Sequence, residues 1–190
     1  GPAFIGLCQD TQELACDYPE DFFKPKVHIV PRMRPDERQV NQAVDLIKSS
    51  KNPLIISGGG VRYSQANKAL SNLAQRLQIP VAETIAGKGA FTHEDPVHIG
   101  PIGVVGSTSA NYAAQRADLI IAVGTRLQDF TTGSWTAFDH RAQFITINAA
   151  RWDAQKHQSL AVVGDAKVCL EEFSGHLKDF KLDGKWLSST

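Results

Sequence analysis

Cysteine is scarce, with three thiols in 190 residues. Cys8, Cys16 and Cys169 are widely spaced, and no C-x-x-C occurs. That pattern excludes a disulfide framework and reads as the reduced thiols of an intracellular, cytoplasmic protein. No apolar run approaches the roughly 20 residues of a membrane span, and no signal peptide is recognisable. Charge of one sign is not in excess, because 20 Lys and Arg face 20 Asp and Glu. This balance removes the general case for nucleic acid or an anionic membrane as a partner. Catalytic signatures are missing as well. No serine sits in a G-x-S-x-G elbow, and no cysteine has a neighbouring histidine. Asp17, Glu20 and Asp21 read as a solvated acidic face rather than an acid/base pair. His93 and His98 bracket Glu94 and Asp95 without a zinc-like spacing, so solvated loop residues are expected there. We expect no catalytic residue and no metal site within these residues. The sequence opens on Gly-Pro-Ala-Phe-Ile without an initiator methionine and is expected to be a piece of a longer protein.

What the sequence does contain centres on Pro53-Leu54-Ile55-Ile56-Ser57-Gly58-Gly59-Gly60-Val61-Arg62-Tyr63. The short β-branched run fits a strand covered on both faces. After the glycines, Ala66, Ala69, Leu70, Leu73, Ala74 and Leu77 mark one face of a helix, and a second strand follows over Val81 to Glu83. The glycines allow a tight turn and are expected to leave main-chain N–H groups free for an anion near a helix start. The pattern is neither G-x-G-x-x-G, since Tyr63 stands at its third glycine, nor a P-loop. A plain strand-to-helix turn and a nucleotide-binding turn both remain open at this point.

The remaining segments repeat the alternation. Ala3 to Cys8 is strand-like, and residues 16–35 read as a linker with four prolines. Asp36 and Gln39 form a D-x-x-Q capping box for a helix with Val40, Ala43, Val44 and Ile47 on its buried stripe. Ala86 to Pro96 is a loop. Ser107 caps a helix with alanines at 110, 113, 114 and 117. Leu119 to Val123, Phe144 to Asn148 and Leu160 to Val163 are strands, and Asp165 caps a last helix carrying Ala166, Cys169, Leu170, Phe173 and Leu177. Residues 181–190 are polar and expected to fray. The sum is a Rossmann-like, doubly wound parallel sheet of about six strands with helices on both faces. Gly58 to Gly60, Gly87 to Gly89, Gly124 to Arg126 and Gly164-Asp165 would lie along its carboxyl edge, where α/β sheets bind ligands.

In order, these segments resemble the central domain of thiamine-diphosphate-dependent enzymes of the acetolactate synthase and pyruvate oxidase type. Gly1 to Ile5 with Asp10-Thr11-Gln12 resembles the end of that family's pyrimidine-binding domain. Lys51 to Gly60 resembles its opening strand and glycine turn, and Gly87-Lys88-Gly89-Ala90 with His93-Glu94-Asp95-Pro96 its next loop. Ala117 to Arg126 resembles "A-D-L-I-L-x-V-G-x-R". Ile145 to Asn148 and Val163 to Ala166 resemble "I-D-I-D" and "V-G-D". A narrower resemblance runs through Leu7 to Asp10, Asp17-Tyr18-Pro19, Phe22-Phe23, Gly58 to Ser64, Ala82-Glu83-Thr84, Arg126 to Trp135, Arg151 to Ala154 and Lys156-His157. It points to a hydrolytic member of inositol catabolism, a branch of carbohydrate metabolism.

The resemblance implies residues 1–35 as the end of the preceding domain plus linker, 36–180 as the central domain, and 181–190 as a tail. It implies thiamine diphosphate and Mg²⁺ in the full-length enzyme, held by N- and C-terminal domains and not by this chain, which is expected to be inactive alone. The full-length protein is expected to be a homodimer or homotetramer that opens a cyclic diketone. The positions carried over for a nucleotide-derived site are Gly58, Gly59, Gly60, Val61, Gly124, Thr125, Arg126, Asn148, Gly164 and Asp165. Some relatives bind FAD or ADP there, but Thr146 and Asn148 replace the acidic pair that would meet nucleotide hydroxyls, so neither ligand is expected.

Overall fold

A computed structural model describes residues 2–29 and 31–190. The chain divides into two units, Gly1–Pro31 and Arg32–Thr190. In the first, a helical turn at Gln9–Gln12 and a 3₁₀ turn at Glu20–Phe23 are the only regular elements among the described residues. Tyr18, Phe22 and Phe23 cluster with ring centroids 4.9 to 5.9 Å apart; Phe23 meets both others edge to face, and Tyr18 and Phe22 are tilted. The expected strand over Ala3 to Cys8 is not formed. A strand needs a partner ladder for its amides and carbonyls, and none is paired to it. Gly1, part of the opening motif, lies outside the described residues.

The second unit holds six parallel strands, β1 (Pro53–Ser57), β2 (Val81–Glu83), β3 (His98–Pro101), β4 (Leu119–Val123), β5 (Gln143–Asn148) and β6 (Leu160–Val163), in the order β3-β2-β1-β4-β5-β6. The expected Rossmann-like sheet is therefore present. β1 and β4 are adjacent, with Ile55 opposite Ile121 and Ser57 opposite Val123. The chain winds outward from β1 in one direction and from β4 in the other, so the strand order reverses between them.

Alternating residues of β4 serve the two faces. Leu119, Ile121 and Val123 join the core beneath the helices Glu37–Ser49, Asn67–Leu77 and Ala166–His176, while Ile120 and Ala122 join the one beneath Thr108–Arg116. Burial on both sides explains the unbroken apolar run, and each such side chain contributes about 1.5–3 kcal/mol by leaving water. The alanine face at Ala110, Ala113, Ala114 and Ala117 is fully buried, as its small residues imply.

Caps follow the sequence with one difference. Ser107 and Asp165 accept from the first-turn amides of their helices, and Asp36 accepts from Arg38 and Gln39 amides. Gln39 does not complete the expected box; its Oε1 accepts instead from the Val163 amide at 3.3 Å. Val163 lies on the edge strand β6, where that amide needs a partner from outside the sheet.

Two further expectations are corrected. β3 was not anticipated, because Gly100 and Pro101 weaken any strand signal there; an edge strand tolerates both. The tail does not fray. Lys185–Ser188 is a helical turn, Trp186 is 8% exposed, and its indole Nε1 donates to the Pro53 carbonyl at 2.8 Å. Three apolar residues, Leu182, Trp186 and Leu187, are too few in a polar stretch to show a period, yet they suffice to anchor it.

Candidate functional site

The β1 turn and the β4 turn press together at the point where the strand order reverses. Gly58 and Gly60 amides donate to the Val123 and Gly124 carbonyls at 2.9 Å each. A Cβ on Gly60 would lie 2.6 Å from the Gly124 Cα, and Gly124 itself has φ +60. The amides of Gly58 and Gly60 are thus used to pack two turns, which corrects the expectation that they stay free for an anion. Val61 is fully buried behind them, and Gly58 is likewise packed under the Gly124 carbonyl and the Thr125 Cβ.

Two hollows open on this carboxyl edge. The larger, of about 660 Å³, is walled by Gly59, Gly60, Thr84, Gly124, Arg126 and Phe130, among others. The smaller, of about 300 Å³, is walled by Gly60, Tyr63, Gly124, Asn148, Gly164 and Asp165. Eight of the ten candidate positions line one or other of these neighbouring hollows, which share Gly60, Tyr63 and Gly124; Gly58 and Val61 line neither. Thr84, Ile85, Ala86 and Phe130 come from other loops, and only the fold brings them in. Tyr63 was visible in sequence only as the residue that breaks the glycine fingerprint.

Arg126 is placed by its neighbours. Thr125 and Leu127 are buried while Arg126 is exposed. Leu127 adopts φ 46, a strained conformation for a bulky residue, and its amide bonds the Thr125 hydroxyl at 3.3 Å. Anchoring both flanks holds the strain and turns the guanidinium toward the larger hollow. Trp135 lies elsewhere, against Phe138, Phe144 and His157, as a core-closing residue rather than a wall of this site.

The smaller hollow is organised by internal bonds. Asn148 donates to the Thr125 carbonyl and accepts from the Ala150 amide. Arg32 Nη1 meets both Asp165 oxygens at 2.9 Å and the Ser64 carbonyl at 2.8 Å, while Ser64 Oγ donates to Asp165 at 2.7 Å. Burial raises the Asp165 carboxyl, but hydrogen bonds from Ser64 and Arg32 outweigh it and hold the group below its ordinary range. A lowered folded-state value means that the stability from this carboxylate is fully present above its ordinary unfolded value, about pH 4, and is lost as the pH falls from there through the lower folded-state value. We expect Asp165→Asn to lower the urea midpoint at about pH 7, and its gap to the wild type to narrow as the pH falls below about 4. A gap that persists unchanged at the acidic end would mean that the carboxylate is not stabilised by its partners.

His93 and Glu94 are exposed, as expected of loop residues. His98 is different: it lies on β3, and its Nε2 faces Glu83 Oε2 at 3.2 Å. Among the described residues, no group of three or more His, Cys, Asp and Glu side chains is placed to hold a metal ion.

A parallel sheet in the order 3-2-1-4-5-6, with a glycine-turn crevice at its switch point, defines a Rossmann-like α/β domain. The chain belongs to the family of thiamine pyrophosphate enzyme central domains, whose sequence model covers residues 40–173. Similarity extends further, to proteins named 3D-(3,5/4)-trihydroxycyclohexane-1,2-dione hydrolase. The one from Clostridium perfringens is 44% identical over 94% of this chain, that from Geobacillus thermodenitrificans 46% over 95%, and that from Bacillus subtilis 44% over 95%. The chain spans only 28 to 29% of the length of these relatives. No helix among the described residues is long and apolar enough to cross a membrane.

Proposed function

We propose that the chain is the central domain of a thiamine-diphosphate-dependent hydrolase that opens 3D-(3,5/4)-trihydroxycyclohexane-1,2-dione to 5-deoxyglucuronate. The observation that carries this reading is similarity at 44 to 46% identity over 94 to 95% of the chain to hydrolases of that name. The side chains at these hollows do not fit a Mg²⁺–diphosphate group, since no group of three or more His, Cys, Asp and Glu among the described residues is placed to hold a metal ion. Flanking N- and C-terminal domains of the longer protein, assembled as a homodimer or homotetramer, hold the cofactor.

In this reading the carboxyl edge forms one wall of the substrate site. The Arg126 guanidinium is a rigid fork suited to a polarised carbonyl or carboxylate oxygen. Gln128, also at the larger hollow, can both donate to and accept from ring hydroxyls. A hydrolysis needs no flavin, and Asn148 already spends its amide on the protein's own backbone.

The first experiment is turnover of the cyclic dione by the full-length protein with thiamine diphosphate and Mg²⁺; absence of ring-opened product would end this reading. The second uses Arg126→Ala in the same protein. We expect KM for the dione to rise about tenfold, with the melting temperature within about 2 °C of wild type. A sharp fall in melting temperature with normal turnover of the surviving enzyme would make Arg126 structural instead.

A further inference from the structure

The loop after β2 reaches the larger hollow with Thr84, Ile85 and Ala86, and its far end is tied down by an acidic residue from that strand. Glu83 is 1% exposed. Its Oε1 accepts from two consecutive amides, Ala90 at 2.9 Å and Phe91 at 3.1 Å. Its Oε2 faces His98 Nε2 on β3 at 3.2 Å, and neither atom has a further hydrogen-bond partner among the described residues. Phe91 stacks on the His98 ring at 5.9 Å with 14° between planes. One buried carboxylate therefore joins the end of β2, the start of β3 and the return limb of the loop.

The loop has little room to move without moving the site. Thr84 takes the Gly87 amide on its hydroxyl, and its own amide donates to the Ser57 carbonyl. Gly87 sits so close to that carbonyl that an added Cβ would come within 2.2 Å of it. The Ala86 carbonyl lies 3.2 Å from where a Gly59 Cβ would be. A shift of Ala90 and Phe91 thus passes through Gly87 and Ala86 to the β1 glycine turn. Burying a carboxylate is costly unless it is fully partnered, and an apolar residue would fill the volume without reaching either amide.

We propose that Glu83 is a positioning residue: by clamping Ala90 and Phe91, it fixes Thr84–Ala86 as the wall of the strand-end cavity. The inference rests on the substrate-wall reading given above. What it requires is the reach of the carboxylate, more than its charge. Glu83→Asp keeps the charge but draws the oxygens back by a methylene, whereas Glu83→Gln keeps an acceptor at full reach.

The test uses the full-length enzyme as wild type, Glu83→Gln, Glu83→Asp and Glu83→Ala, with amide hydrogen exchange over residues 84–91 and steady-state kinetics on the cyclic dione. We expect Glu83→Asp and Glu83→Ala to speed exchange in that segment about tenfold or more. They should raise KM about tenfold, with kcat changed less than about threefold. Glu83→Gln should stay within about threefold of wild type in both readouts. Exchange unchanged in the Asp and Ala variants would overturn the clamp. Faster exchange with unchanged KM and kcat would overturn its role at the cavity. Damage from Gln with Asp near wild type would show that charge matters, not reach. Equal damage from both would show that reach without charge does not hold the clamp, and either result overturns the inference. If the Ala variant does not fold, the Gln and Asp pair decides. If the wild type leaves the dione untouched, the functional reading fails, and the exchange measurement alone decides whether Glu83 holds the wall.

Discussion

Ile121→Asp is expected to destabilise the Arg32–Thr190 unit by about 4 kcal/mol or more. Ile121 is the middle residue of β4, 3% exposed, opposite Ile55 on β1 and Ile145 on β5. Its face of the sheet is covered by the helical stripe of Val40, Leu70 and Phe173, among other apolar residues. An aspartate there loses about 2 kcal/mol of apolar burial and either buries an unpaired charge or is forced to take up a proton. A total cost of about 4 kcal/mol or more is a large share of the 5–15 kcal/mol typical of a domain. Circular dichroism melts of the chain read the outcome directly. A variant that melts with the parent would mean that β4 is not the buried centre of the sheet.

Gly124→Ala is expected to have the next largest effect, through backbone geometry instead of hydrophobicity. The residue sits at φ +60, where a side chain costs about 1–2 kcal/mol. The new methyl would also stand 2.6 Å from the Gly60 Cα and 2.9 Å from the Val61 amide nitrogen. Neither neighbour is the free end of a flexible side chain, so the β1 and β4 turns must separate, at a further 1–3 kcal/mol or so. For a chain of this size the sum lowers the melting temperature by roughly 10 °C. A shift of less than about 2 °C would show that the two turns are not pressed together as described.

Much of the fold was legible because its signals are local. The runs Leu54–Ile56 and Leu119–Val123, the stripe from Ala166 to Leu177 and the caps at Asp36, Ser107 and Asp165 each state their structure within a few residues. What escaped depends on residues distant in sequence. β3 is a strand because β2 lies beside it, despite Gly100 and Pro101. Trp186 docks because the Pro53 carbonyl, 133 residues earlier, needs a donor. The edge that carries the site was legible from the glycine turns at strand ends, but the role of those glycines was not. Nothing in Gly58-Gly59-Gly60 announces that the Gly124 backbone lies against it. Glu83 shows no role in the sequence, since its partners Ala90, Phe91 and His98 meet it only once the loop is closed.

The hydrogen bond from Trp186 to Pro53 also bears on biosynthesis. At 5–20 residues per second, the ribosome needs roughly 7 to 27 s to make the intervening 133 residues. Through that interval the first strand can pair with β2 and then β4, while its leading carbonyl has only water as a donor. The nascent domain therefore gains its final lock late, from a short amphipathic segment that leaves the exit tunnel after the sheet is complete. A pause or a truncation just before residue 186 would release a native-like chain with an apolar notch still open, the kind of surface that chaperones bind.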